Sequence, residues 1–388
     1  MNIARFKTAP FLGISSLAVG FLAFAGQAQK FEWNGKVLTE GGVRVVLNPA
    51  EPVYGQIKLD LEEELRIGKE GDDKTQFYRV RDVGADSRGN IHVLDTRNFR
   101  IQVFDPTGKY LRTIGRQGQG PGEFEMPSLL RIGGEAENIY VLDRFRRVSL
   151  FDAQGIYLRS VTIDGTTTFF EPAAGAGFFA LLHTGSDEEL TSFNALCLVN
   201  GEGKTQKILA QFPYTIHMER REGGTLAVST GFELALHFAR LDNTSLVYGY
   251  SKTYELVVID SDGRKLLVIR KEGPPPEFTA VEKREFGRLS VPEFKPYFFG
   301  LLTDPDGRIY VHRNTSTKIK RGYGPIATED KQVDVFSREG QFLFQTALPP
   351  NTRVIRGDLI YTYYVDEEKG LEYVQRFRIK NYAGLPKN

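Results

Sequence analysis

The strongest constraint on this chain is an internal repeat. One copy reads Ile91-His92-Val93-Leu94-Asp95, then Arg100-Ile101-Gln102-Val103-Phe104-Asp105, Gly108 and Leu111-Arg112-Thr113-Ile114-Gly115. The next reads Ile139-Tyr140-Val141-Leu142-Asp143, then Arg147-Val148-Ser149-Leu150-Phe151-Asp152, Gly155 and Leu158-Arg159-Ser160-Val161. Asp95 and Asp143 stand 48 positions apart. That length holds four short strands joined by Asp/Gly turns, and one such sheet cannot bury both of its faces alone. Copies must therefore stack, which is the arrangement of four-stranded antiparallel blades in a propeller.

Weaker copies follow. A third begins at Gly177-Phe178-Phe179 and continues through Ala195–Val199 and Gln206–Leu209. The fourth comprises Ser245–Tyr250, Glu255–Asp260 and Leu266–Ile269. In the fifth, Asp304-Pro305-Asp306-Gly307-Arg308-Ile309-Tyr310-Val311 is followed by Gln332–Ser337 and Gln341–Gln345. The sixth has only three strands, Arg353–Asp358, Leu359–Val365 and Glu372–Ile379, before the chain stops. Its fourth is expected from Ile57–Leu61 and Leu65–Gly68, whose ending echoes Leu111–Gly115. Closing the ring this way pairs edges that would otherwise expose backbone groups. The expected fold is all-β: a six-bladed β-propeller of four-stranded antiparallel blades, closed by an N-terminal strand completing the last blade. The stretch Phe212–Leu236 leaves room for a seventh blade.

The residues Asp86 to Asp105 resemble the NHL repeat, with Asp-x-x-Gly-Asn-Ile, a strand ending in Asp, then Arg-Ile-x-Val-Phe-Asp. With the preamble Trp33-Asn34-Gly35 and Val43–Pro49, the chain resembles bacterial exported six-bladed propellers, many of them lipoproteins. This resemblance implies fold and export and no particular activity. The chain lacks the Cys that the lipoprotein members acylate near the cleavage site.

The N-terminus carries Arg5 and Lys7, an uncharged stretch from Thr8 to Gln29, and small residues at Ala23, Ala25, Gly26 and Ala28. This predicts a secretory signal peptide over residues 1–28. The expected layout continues with an N-terminal extension over 29–55 packed on the propeller, the propeller over 56–380 and a tail over 381–388. The expected location is periplasmic or extracellular, with no stable membrane insertion after cleavage; retention of the segment as an anchor is the rival reading. Cys197 is the single cysteine, so stability must come from the core, not from disulfides. The formal charge of +1 falls to −1 without the leader, which gives no cationic field for nucleic acid.

In a propeller, the loops between second and third strands share a face with the links between blades. The two longest insertions, Arg313–Lys331 and Gly273–Lys295, both fall there. Equivalent positions on that face carry Arg97, Asn98, Arg144, Lys252, Arg313 and Arg321. Guanidinium forks suit carboxylates and phosphates, so these six are the expected ligand-binding residues. Arg100 and Arg147 are expected to pair with Asp95 and Asp143 inside their blades. His92, His183 and His312 occupy comparable second-strand positions and are candidates for lining the central channel.

The chain has neither a nucleophile elbow nor a P-loop, and its five histidines form no close ligand pair. Cys197 sits in an apolar strand and reads as core. The favoured function is an exported, non-catalytic binding or scaffolding module for a peptide, protein or glycan, needing no cofactor. The alternative is a metal-assisted hydrolase or lyase with Ca²⁺ or Zn²⁺ in the channel. Catalytic residues, ligand identity and oligomeric state are not fixed by the sequence.

Overall fold

Six blades, each built on four antiparallel strands, are arranged about a central axis in the computed structural model; five are four-stranded sheets and one is extended to six strands. It describes residues 32–134, 136–173, 177–184, 192–214, 217–221, 224–228, 232–286, 293–314 and 331–387, with backbone alone for 217–221, 224–228 and 285–286. Blade 1 comprises Val80–Ala85, Ile91–Asp95, Arg100–Phe104 and Tyr110–Ile114; blade 2 comprises Pro127–Gly133, Asn138–Asp143, Arg147–Phe151 and Tyr157–Thr162. Blade 3 is Thr166–Pro172, Phe178–Thr184, Ser192–Val199 and Thr205–Tyr214; blade 4 has Leu236–Arg240, Ser245–Tyr250, Glu255–Asp260 and Lys265–Lys271. Blade 5 is built from Phe298–Thr303, Ile309–Arg313, Lys331–Phe336 and Phe342–Leu348.

Blade 6 has Thr352–Arg356, Leu359–Asp366 and Leu371–Ile379, and its fourth strand is Leu61–Ile67 from the other end of the chain. The closing pairs run from Val374 opposite Ile67 to Ile379 opposite Leu61. Leu59 lies in the same buried cluster as Ile379, with Phe377 packed against it. The ring is therefore six-bladed and closed by the expected N-terminal strand. Among the described residues, the doubtful stretch contains a two-stranded piece, His217–Arg221 with Gly224–Val228, and no further blade.

The interior explains why the repeat was visible. Six apolar clusters occupy the spaces between neighbouring blades. Second and third strands are sandwiched between two such clusters, so Ile91–Asp95 is buried throughout. These strands must be apolar on both faces, which favours β-branched and aromatic residues. Fourth strands have one wet face and alternate, as in Tyr110–Ile114. Burying a Phe such as Phe104 or Phe151 contributes about 1.5–3 kcal/mol relative to exposure, and these rings meet edge-to-face across the clusters.

Between third and fourth strands a recurring turn fixes the register. In blade 1 the Asp105 carboxylate accepts the backbone N–H groups of Thr107 and Lys109, and Gly108 takes a φ of 85°. Asp152, Asn200 and Asp260 do the same in blades 2, 3 and 4. A short polar side chain caps the bend while glycine supplies the left-handed residue. At the second-to-third turns Arg100 reaches Asp95 at 2.9 Å and Arg147 reaches Asp143 at 2.5 Å, the expected pairs.

The hairpin Lys36–Glu40 and Val43–Asn48 adds to blade 4, the second of these strands running parallel to Lys265–Lys271. Asn48 anchors it: its side-chain oxygen accepts from the Trp33 indole and the Phe342 amide, and its NH₂ donates to the Gly340 carbonyl. Among the described residues no helix is long and apolar enough to cross a membrane. The signal segment over 1–28 lies outside them.

Candidate ligand channel

The first strand of every blade faces the axis, and together they line a cavity of about 920 Å³. Each runs from the face carrying the blade links and second-to-third loops toward the opposite face. In the half nearest the loop face, the wall carries the imidazoles of His183, His237 and His312, the rings of Phe169, Tyr214 and Phe299, and Asn194, Lys331 and Arg353. Toward the far face it carries Arg240 and Arg356. Arg240 of blade 4 donates to the Ile132 carbonyl of blade 2, 3.2 Å away, so its side chain spans part of that end.

An ionic triad crosses the wall between. Arg131 of blade 2 contacts Asp82 of blade 1 at 2.9 Å and Glu171 of blade 3 at 2.6 Å. The guanidinium lies 4.6 Å from the Phe169 ring. Burial works against the Arg131 charge, but Glu171 and Asp82 outweigh it and push its pKa up. Asp82 also accepts the Leu130 amide. The remaining carboxylates of the lining are engaged as well: Asp304 with Arg308, and Asp242 with Arg338. Every acid of the lining is thus held by an arginine.

The imidazoles are neutral at physiological pH. Burial pushes His237 down to about 4. Burial, with the charges of Lys331 and Arg353, pushes His312 to about 3. Burial lowers His183 too. Its ring lies against Tyr214, with centroids 5.6 Å apart. His312 stands beside Phe299, and the Lys331 ammonium sits 4.9 Å from that Phe299 ring. Among the described residues, the Nδ1 of His312 is buried and carries no hydrogen bond. Such an atom is costly to leave unmatched, and a bound polar group would satisfy it. The lining at this end is aromatic and hydrogen-bonding, with Lys331 and Arg353 as its formal charges.

The loop residues expected to bind ligand are placed differently. Arg97 and Lys252 are exposed on the loop face. Asn98 donates to Asp95, Arg144 pairs with Glu125 at 2.7 Å, and Arg313 is 3.6 Å from Asp334. None of these five lines the cavity. Second-to-third loops stand at the radius of the second and third strands, away from the axis. Arg321 lies outside the described residues.

Of the three candidate channel histidines, His183 and His312 line the cavity and His92 does not. His92 pairs with Gly84 near the opposite face and is buried with its Nε2 3.7 Å from Asp86. Its place among the imidazoles is taken by His237, on a first strand. The repeat carboxylates are also dispersed: Asp86 holds Asn90, Asp95 holds Tyr78 and Arg100, and Asp143 holds Met126 and Arg147. Among the described residues, no three His, Cys, Asp or Glu side chains converge as a metal-binding group.

The geometry defines a closed six-bladed propeller with an aromatic, cation-bearing channel mouth. A family profile described as a 6-bladed beta-propeller (DUF5128) matches residues 70–218. Among solved structures, the chain is similar to a Bacteroides fragilis protein described as exported, at 10% identity and a TM-score of 0.52, covering 86% of this chain and 99% of that one. It is also similar to a DUF4221 family member from Bacteroides vulgatus, at 14% identity and a TM-score of 0.51, covering 84% and 99%. At such identities the likeness is one of fold. No curated protein sequence matches the chain. The matching profile is that of a six-bladed propeller, and nothing ties the chain to the NHL repeat in particular.

Proposed function

We propose that this protein is an exported, non-catalytic binding module that takes the carboxylate-bearing end of a peptide or glycan into the mouth of its channel. The observation that carries this reading is the sign of the lining. Asp82, Glu171, Asp242 and Asp304 are all engaged by arginines, while Arg353 remains 40% exposed and 3.9 Å from its nearest acid, Asp82. Phe169, Phe299 and Tyr214 supply flat apolar walls for a sugar ring or an aromatic side chain. The unmatched His312 Nδ1 supplies an orienting contact. Export is supported by the leader-like N-terminus and by the fold shared with a protein described as exported.

Calorimetric titration with uronate oligosaccharides and short acidic peptides, each beside its neutral analogue, tests this. Binding is expected for the acidic members alone, weakening with salt and falling about tenfold or more in Arg353→Ala, the loss expected for a charged hydrogen bond. Equal binding of the neutral analogues, or an unchanged Arg353→Ala, would overturn the assignment.

A further inference from the structure

We infer that the strand Lys36–Glu40 is a homodimer interface, pairing antiparallel with the same strand of a second copy. A propeller exposes one strand edge per blade, and five of the six outer edges here are bulged. Two residues of the outer strand face one inner partner at Leu111 in blade 1, Leu158 in blade 2 and Leu209 in blade 3. The same shift occurs at Leu343 in blade 5 and at Glu64 in the closing strand of blade 6. A bulge bends the edge and breaks the run of donors and acceptors, which keeps it from pairing with another chain.

Blade 4 is different. Its own bulged strand, with the shift at Leu266, is covered by Val43–Asn48. The sheet then ends in Lys36–Glu40, which pairs with its neighbour over five consecutive positions without a shift. It is the sixth strand in a sheet where the other blades stop at four, so it stands outside the ring. All five residues are exposed, Val37 and Leu38 at 49% and 43%. Among the described residues nothing pairs with its outer edge.

The residue order identifies the occupant. In Lys36-Val37-Leu38-Thr39-Glu40, a twofold axis at Leu38 sets each Lys36 opposite Glu40 of the second copy, twice per dimer. Val37 then faces Thr39, and Leu38 faces itself. Opposite charges and apolar pairs at facing positions are the favourable cross-strand combinations. Arg270 grips both Glu40 oxygens, at 2.8 and 3.0 Å, and so fixes the carboxylate while leaving further lone pairs for the incoming ammonium. The interface is self-complementary in shape, register and charge, as a twofold contact requires.

A charge exchange tests it. Sedimentation of the purified full chain across the micromolar range is expected to show a monomer–dimer equilibrium. K36E and E40K each set like charges opposite one another twice, and each is expected to weaken the dimer by on the order of tenfold or more. Mixing K36E with E40K restores both attractive pairs and is expected to return a heterodimer near the parent affinity. A parent that stays monomeric overturns the proposal, as does a dimer indifferent to K36E. Slow exchange, in a monomer, of the Lys36–Glu40 amides that point away from Val43–Asn48 also overturns it, by placing another segment of the same chain on that edge.

Discussion

Replacing Arg131 by Met removes the charge from the channel triad while keeping much of the stem that lies against Phe169. Asp82 and Glu171, at 3% and 8% exposure, then face each other across the wall without their shared cation. Breaking a buried ion pair by deleting one partner costs about 3–5 kcal/mol, because the remaining charge stays desolvated. The compact unit begins at Trp33, and at about 2.1 cal/mol/K per residue its unfolding entropy is roughly 0.75 kcal/mol/K. The expected loss is therefore a fall in Tm of about 4–7 °C. In the triple variant Asp82→Asn, Arg131→Met, Glu171→Gln no charge is stranded, and more than half of the loss should return. Urea titration and calorimetry on the parent, single and triple variants measure each step. A single variant within about 1 kcal/mol of the parent, or a triple variant no better than the single, would refute the reasoning.

Three further outcomes are expected. Folded His237 and His312 take up protons near pH 4 and 3, against about 6.5 when unfolded, so their stabilising contribution is complete above about pH 6.5. It is lost as the pH falls toward those values, at up to about 1.4 kcal/mol per pH unit for each ring, and urea midpoints between pH 7 and pH 5 should fall less steeply in His237→Gln. Gly203 turns at a φ of 89°, and a Cβ there would meet the Thr162 carbonyl oxygen at 2.0 Å. Gly203→Ala should thus cost more than about 2 kcal/mol by urea unfolding, and a neutral result would mean that the turn relaxes. Burial pushes the Cys197 thiol up to about 11, so a thiol reagent should label the native protein far more slowly than the chain in urea.

The parts of the fold legible in the sequence are those that packing leaves least free. Strands such as Ile91–Asp95 and Asn138–Asp143 are pressed between clusters on both faces, and turns such as Asp105–Gly108 admit few residue types. Identical constraints produce similar letters, and the repeat shows. The first strands of blades 3 and 4, Thr166–Pro172 and Leu236–Arg240, left no such mark. One part of each first strand borders the cavity, so Leu236-His237-Phe238-Ala239-Arg240 and Val80-Arg81-Asp82-Val83 mix charge with apolar residues and follow no clean period. A usable signal was nevertheless present: a charged residue within the first strand of five of the six blades, at Asp82, Arg131, Glu171, Arg240 and Arg353.

That mixture also explains why the sequence draws attention to the loops while the channel wall goes unnoticed. Loop arginines such as Arg97 and Arg144 draw notice because they recur at comparable positions beside repeated turn chemistry, but recurrence is produced by the blade and not by the ligand. Arg100 and Arg147 recur for a reason that is purely structural, each closing a turn onto the Asp that ends the second strand. A ligand on the axis breaks the equivalence of the blades, since one molecule cannot make the same contact with six walls at once. Its residues should therefore differ from blade to blade, as His183, His237, His312, Arg353 and Asn194 do. Searching a propeller for what repeats finds the scaffold; searching its first strands for what fails to repeat finds the channel wall where a ligand can be told from its analogues.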